Sequence, residues 1–340
     1  MIKILSIDGG GVKGLYAATV LDKLEKTYGV SISEKVDIIS GTSIGGIIAL
    51  GLACGKRPSE IIEFFNHHGP KIFNQNNNFL KYIKKILGTF VCSVYSNKAL
   101  VSACKEFFGG IKMGDLATAG YPKLAVCIPT SNLITGSNRV FKTSHHKSFS
   151  RDQHYFVWQV ALATSAAPYY LPVAEIEIGN GSEFYVDGGL WGNNPSMVAV
   201  TEALSYLKDQ HKEVSLNKII LFSLGNIPEP VGEARVRFRS RSLIAWNRKL
   251  VTLPLPFQAE GAHNMVRLLL ELNDGKYFRL EHQNLSSNQK KLIGLDKAGK
   301  ASRELLRSLA GRDAETHTSS GSRGEEFFKH FFDIGGGKHG

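Results

Sequence analysis

The chain has 340 residues, 43% hydrophobic and 21% charged, which excludes global disorder and allows one large α/β domain or two modest ones. A formal net charge of +11 favours an anionic partner: nucleic acid, a nucleotide or an anionic membrane surface. The cysteines Cys54, Cys92, Cys104 and Cys127 form no C-x-x-C pair, so they read as buried reduced thiols rather than a metal site or a disulfide frame.

Residues 2–7 read as a short buried strand ending at Asp8. That run is too short for a signal peptide, and the longest apolar stretch, 44–54, falls well short of a membrane span, so a cytoplasmic protein is expected. Asp8-Gly9-Gly10-Gly11-Val12-Lys13-Gly14 then opens an amphipathic helix over 14–26, with Leu15, Ala18, Leu21 and Leu24 on one side. A second strand over 36–40 runs into Gly41-Thr42-Ser43-Ile44-Gly45 and a helix over 44–54 that is apolar almost all round. A further helix is expected over 58–65.

Residues 66–98 change character. They hold an Asn-rich tract at 74–78 and a basic amphipathic stretch at 79–87, readable as a surface helix or as a membrane-touching lid. Strands follow at 124–128 and 139–142, then a helix over 156–164. A brief strand over 184–186 ends in Asp187-Gly188-Gly189. A helix over 194–207 and a strand over 218–224 come next. Residues 235–249 are strongly basic and include Arg237, Arg239, Arg241 and Trp246. A helix over 259–272 and a strand over 277–280 precede a polar stretch at 311–324, expected to be mobile, and a short helix over 325–332. Strands alternating with helices imply an α/β fold with a mostly parallel sheet covered on both faces.

The segment around Ser43 has the G-x-S-x-G form of a nucleophile elbow, which exposes a serine on a tight strand-to-helix turn. A serine hydroxyl needs a positioned base and donors for the oxyanion formed on attack. Gly9, Gly11 and Gly14 fit the dinucleotide pattern G-x-G-x-x-G, which leaves a Rossmann-like binding module as one alternative. The same glycines read as an oxyanion hole would use both motifs at once. An ordinary α/β-hydrolase needs several strands before its elbow, and here only two precede Ser43. No histidine has a distinguishing motif, and His263 and His282 default to surface or structural roles. Asp187 ends a strand, where active sites of open α/β sheets lie, and its carboxylate could take the serine proton directly, although Asp187-Gly188-Gly189 taken alone reads as an ordinary turn.

Together, Asp8–Gly14, Gly41–Gly45, Ala163-Thr164-Ser165-Ala166-Ala167-Pro168 and Asp187-Gly188-Gly189 resemble, in order and spacing, the patatin-like phospholipases over about residues 3–200. The resemblance implies a three-layer α/β/α sandwich and a Ser43–Asp187 dyad without histidine. It assigns the oxyanion hole to backbone N–H groups around Gly9, Gly10 and Gly11, and the substrate to glycerophospholipids or other acyl-lipid esters, with no metal or organic cofactor. Where the family usually carries arginine, this chain has Lys13, which keeps the charge without the planar fork. The expected organisation is a catalytic core over 1–210, the C-terminal part of the same α/β domain over 211–310 as a candidate regulatory or ligand-binding region, and a polar, mobile tail with a short helix over 311–340. The chain also resembles the phospholipase effectors of cyclic-oligonucleotide anti-phage systems, which act at the inner face of the membrane. That likeness implies a cyclic di- or trinucleotide activator, with Arg237, Arg239, Arg241 and Trp246 as candidate nucleotide contacts, and no DNA or RNA polymer as partner. A constitutive lipase or lysophospholipase remains the alternative, and homo-oligomerisation is left open.

Overall fold

The computed structural model describes residues 1–73, 93–118, 120–146, 149–179, 181–227, 246, 249–280, 282 and 284–334. The stretch at 79–87, Cys92, and Arg237, Arg239 and Arg241 lie outside the described residues, while Trp246 is helical and half-buried.

Eight strands form one sheet: β1 (Ile2–Ile7), β2 (Ile38–Gly41), β3 (Ala125–Asn132), β4 (Ser137–Lys142), β5 (Ala174–Ile178), β6 (Gly181–Asp187), β7 (Ile219–Leu224) and β8 (Lys276–Arg279). The order is β5-β6-β3-β2-β1-β7-β8, with β4 pairing with β3 off this path. From β3 through β2, β1 and β7 to β8 every pairing is parallel, as the strand–helix alternation predicts. The pairs β3–β4, β3–β6 and β5–β6 are antiparallel, so the sheet is mixed. Four residues separate β3 from β4 and two separate β5 from β6, too few for a crossover, which leaves only the antiparallel pairing within each of these two pairs.

The helices used below are α1 (Gly14–Tyr28), α2 (Ile44–Ala53), α3 (Pro58–Ile72), α4 (Lys98–Phe108), α5 (Val157–Ser165), α6 (Ser196–Asp209), α7 (Pro254–Glu271), α8 (Lys300–Thr318) and α9 (Arg323–Phe331). Side-chain alternation along β1 divides the core into two layers. Leu5 and Ile7 join the larger cluster with residues of α1–α5, α8 and α9. Ile2 and Ile4 join the smaller cluster with Ala199, Val200 and Ala203 of α6 and Val266 and Leu270 of α7. The sheet is therefore covered on both faces. Every residue of α2 is buried, and each of its large aliphatic side chains contributes about 1.5–3 kcal/mol through burial.

The expectation of a mobile polar stretch at 311–324 is corrected over its first half. Residues up to Thr318 continue α8, with Ala310, Asp313 and Ala314 buried. The Tyr16 hydroxyl donates to Asp313 Oδ2 at 3.0 Å, tying α8 to α1. Tertiary packing here overrides the weak helix propensity of Gly311, Asp313 and the threonines. β7 and β8 belong to the same sheet as β1, so residues beyond 210 complete the layer that begins at residue 2.

The chain leaves β1 toward β2 on one side, and β7 later takes the other. The carboxyl ends of β1 and β7 thus mark a topological switch point, the usual place for a crevice in such sheets.

Candidate active site

Ser43 follows the carboxyl end of β2 and caps α2 with φ 55° and ψ −125°. This left-handed backbone is unusual for a residue with a Cβ and marks a nucleophile-elbow turn. Gly45 lets the turn sit close to β1: a Cβ there would lie 2.4 Å from the Ile7 carbonyl oxygen. The Ser43 N–H donates to Thr164 Oγ1 at 3.0 Å. Thr164 in turn donates to the Pro129 carbonyl at 2.6 Å, and the Thr42 hydroxyl donates to the Gly192 carbonyl at 2.5 Å. The elbow is thereby fastened to β3 and to the loop that follows β6.

Asp187 ends β6. Its N–H donates to the Ala166 carbonyl at 3.0 Å, and its Oδ1 accepts the Gly189 N–H at 2.7 Å. The side chain is buried and interacts with the Ser43 side chain. Burial pushes its carboxyl up to about 6, and hydrogen bonding from Ser43 and Gly189 offsets only part of the rise. Such a carboxyl is ionised at neutral pH yet more basic than an ordinary aspartate, as a proton acceptor should be.

The glycine-rich loop lies against this pair, with two corrections. The Gly9 N–H is spent on the Asn193 carbonyl at 2.9 Å, so it is not an oxyanion donor in this arrangement. The N–H groups of Gly10 and Gly11 have no acceptor among the described residues. Gly11 also has φ +57°, and a Cβ on it would meet the Leu295 carbonyl oxygen at 2.1 Å. The glycines of the dinucleotide pattern therefore serve close protein packing, Gly14 against Ile44 included.

Ser43, Asp187, Gly10 and Gly11 line one small cleft of about 70 Å³. Its other walls are mainly apolar, from α2 (Ile44, Ile47), α3 (Phe64, Phe65, Ile72) and Leu171. Such a lining suits an acyl chain rather than a polar group.

Sequence reasoning missed a second, larger cavity of about 860 Å³ behind the same loop. Asp8 and Arg279 face each other there, with Arg279 Nη2 2.6 Å and Nη1 3.3 Å from the two carboxylate oxygens. Burial raises the Asp8 carboxyl and Arg279 offsets only part of that. Lys13, His263 and His282 line this cavity too, so the two histidines are not plain surface residues. His282 Nδ1 lies 2.9 Å from the Tyr16 hydroxyl. The partners Asp8 and Arg279 are far apart in sequence, and no local motif announces them.

Among the described residues, Cys127, His145 and Glu202 could in principle hold a metal ion. The Glu202 carboxylate is already engaged by His145 Nε2 at 2.8 Å and by an ion pair with the Lys142 ammonium. Burial alone would raise Glu202, but those two partners outweigh it and hold the carboxyl below its usual range. A cation already occupies the role a metal would fill. Cys54, Cys104 and Cys127 are buried free thiols.

Residues 5–200 match the family profile described as patatin-like phospholipase. The chain belongs to that family. As a patatin-like phospholipase it is a lipid ester hydrolase with the patatin fold. It is 31% identical over 329 residues to a cGAMP-activated phospholipase of Pseudomonas aeruginosa, covering 96% of this chain and 91% of that one. A cGAMP-activated phospholipase of Vibrio cholerae is 29% identical over 347 residues, covering 96% and 94%. Patatin-like protein 2 of Oryza sativa subsp. indica is 31% identical over 231 residues, covering 63% and 55%. No helix among the described residues of this phospholipase is long and apolar enough to cross a membrane.

Proposed function

We propose that the protein is a phospholipase A-type serine hydrolase that cleaves acyl esters of membrane glycerophospholipids through a Ser43–Asp187 dyad. The observation that carries this reading is the strained Ser43 turn beside a buried Asp187 whose carboxyl is pushed up to about 6. Asp187 takes the Ser43 proton as Oγ bonds to the ester carbonyl carbon. The oxyanion accepts the N–H groups of Gly10 and Gly11. The carbonyl–alkoxide bond then breaks, and the lysolipid leaves with the proton held by Asp187. Water, deprotonated by the same carboxylate, attacks the acyl-enzyme and releases the fatty acid. Ser43→Ala and Asp187→Asn should both fold and both fail to hydrolyse phospholipid vesicles. Activity surviving in either variant would overturn the dyad.

A cyclic oligonucleotide switches the enzyme on, and the activated enzyme degrades the cell's own membrane from its inner face as an anti-phage effector. Support comes from the two relatives named for cGAMP activation, each aligned over 96% of this chain, and from the net charge of +11, which suits anionic ligands and anionic membrane. Residues 1–210 act as the catalytic core, and residues 211–310, part of the same α/β domain, supply the regulatory region. Vesicle hydrolysis measured with and without a panel of cyclic di- and trinucleotides tests the switch. Equal rates under all conditions would favour a constitutive lipase.

A further inference from the structure

We infer that the large cavity behind the glycine-rich loop is the effector site, that it takes a cyclic dinucleotide, and that it acts on Ser43 through the wall the two pockets share. This rests on the nucleotide-switched reading above. The cavity lies where the carboxyl ends of β1, β7 and β8 meet, contributed by Asp8, Asn226 and Arg279. That is the switch point of the sheet, the place where open α/β sheets bind ligands. Its volume of about 860 Å³ sits within the roughly 300–1,000 Å³ range of small-molecule sites. The cleft at Ser43, at about 70 Å³, is far smaller.

The lining matches the parts of a cyclic dinucleotide. For phosphodiesters there is a guanidinium group: Arg267 and Arg323 share the single carboxylate of Glu271, at 2.9 and 3.7 Å, so two cations answer one anion. Arginine's planar fork suits phosphate oxygens. For bases there are flat faces and acceptors. His263 and Tyr277 lie 2.7 Å apart through Nδ1 and the hydroxyl, with ring centroids 5.5 Å apart. Asn226 is about nine-tenths buried, and its Nδ2 donates to the Asp8 carbonyl at 2.8 Å. Its Oδ1, itself shielded from solvent, has no partner among the described residues, and Asn226 lines the cavity. A turn of this amide toward the cavity would offer that acceptor a donor such as a purine N–H.

The connection to catalysis is physical contact. Asn193, Leu255 and Leu295 line both pockets. A Cβ on Gly10 would lie 2.6 Å from Asn226 Nδ2, so the effector-side asparagine rests directly on an oxyanion-side glycine. The Asn193 carbonyl holds the Gly9 N–H, and its Nδ2 donates to the Leu255 carbonyl at 3.2 Å. The Asn194 N–H donates to Gln258 Oε1 at 2.8 Å. Helix α7, one wall of the cavity, is thus stitched to the loop that follows Asp187. A ligand that moves α7 or Asn226 presses on Gly10 and on the loop that follows Asp187.

The test has two arms on the full chain. In the first, an azidopurine cyclic dinucleotide is photo-crosslinked to the wild-type protein and the adduct located by mass spectrometry. The adduct should fall within α7, β8 or residues 282–295, or on Asn226. An adduct confined to other segments, such as 228–245, would overturn the site. In the second, the nucleotide concentration for half-maximal vesicle hydrolysis is compared between wild type and the double variant Arg267→Ala, Arg323→Ala. It should rise about tenfold or more in the variant. A change under twofold in a variant that melts like wild type would count against the site alone. A wild-type enzyme indifferent to every nucleotide would remove the switch and the site together. If the double variant fails to fold, the crosslink still decides.

Discussion

The two pockets on either side of the Asp8–Gly11 loop differ in every respect that matters to a ligand. The cleft at Ser43 is small and mainly apolar, with its polar groups gathered at Ser43, Asp187 and the glycine N–H groups. The cavity at β1, β7 and β8 is an order of magnitude larger and is lined by ion pairs, histidines and the Asn226 amide. One wall therefore separates a site suited to an acyl chain from a site suited to a polar anion. The lesson is that a glycine-rich loop can form a thin wall between two chemistries, because the absence of side chains lets both neighbours press against its backbone.

The first way to break this comparison is at the reacting atom. Ser43→Ala should lower vesicle hydrolysis about 10⁴-fold or more while leaving nucleotide crosslinking intact. Loss of both would mean the two pockets do not divide the work as proposed.

Asp187→Asn should lower hydrolysis about 10²- to 10⁴-fold and also stabilise the protein. A carboxyl raised from 3.8 to about 6 in the folded state means that stability falls as pH rises from 3.8 through 6, by up to about 3 kcal/mol. The asparagine variant escapes that penalty, so its melting temperature should exceed wild type at pH 7.5, and the difference should vanish below about pH 4. Equal melting at both pH values would contradict the buried, raised carboxyl.

Gly10→Ala sharpens the comparison from the shared wall. Its Cβ would collide with Asn226, so hydrolysis should drop about 10²-fold and nucleotide activation should weaken in the same variant. A variant impaired in only one of the two would loosen the coupling. The pH profile is gentler. With Asp187 as base at about 6, kcat/KM should fall about tenfold for each pH unit below 6. A profile flat down to pH 4.5 would remove Asp187 from the role. The smallest effect is expected at Thr164→Val, which leaves the Ser43 N–H without its acceptor and should cost about 1–3 kcal/mol in thermal or denaturant unfolding.

Legibility in the sequence followed locality. Ser43 and the glycine-rich loop announce themselves because a tight turn demands glycines at fixed spacing within a few residues. Asp187 ends a strand and precedes two glycines, a pattern that alone reads as an ordinary turn; only its combination with the other motifs in the family order singles it out as the proposed base. Thr164 was visible as part of a conspicuous segment, but its bond to Ser43 depends on tertiary placement. The Asp8–Arg279 pair, the Tyr16–His282 contact and the Asn226 bond to the Asp8 carbonyl join residues hundreds of positions apart, and composition carries no trace of such meetings. The end of α8 was misread as mobile because local propensity is weak there and packing against α1 decides. The antiparallel pairs β3–β4 and β5–β6 depart from the parallel pattern because too few residues separate their strands for a crossover, and the β5–β6 pair then adds to the sheet edge antiparallel to β3.

The most direct measurement is the rate at which a fluorophosphonate labels the wild-type protein, with and without a cyclic dinucleotide, with the adduct located by mass spectrometry. The account predicts a single adduct on Ser43 that forms about tenfold or more faster when the nucleotide is bound. An adduct on another residue, or no adduct in either state, would contradict it.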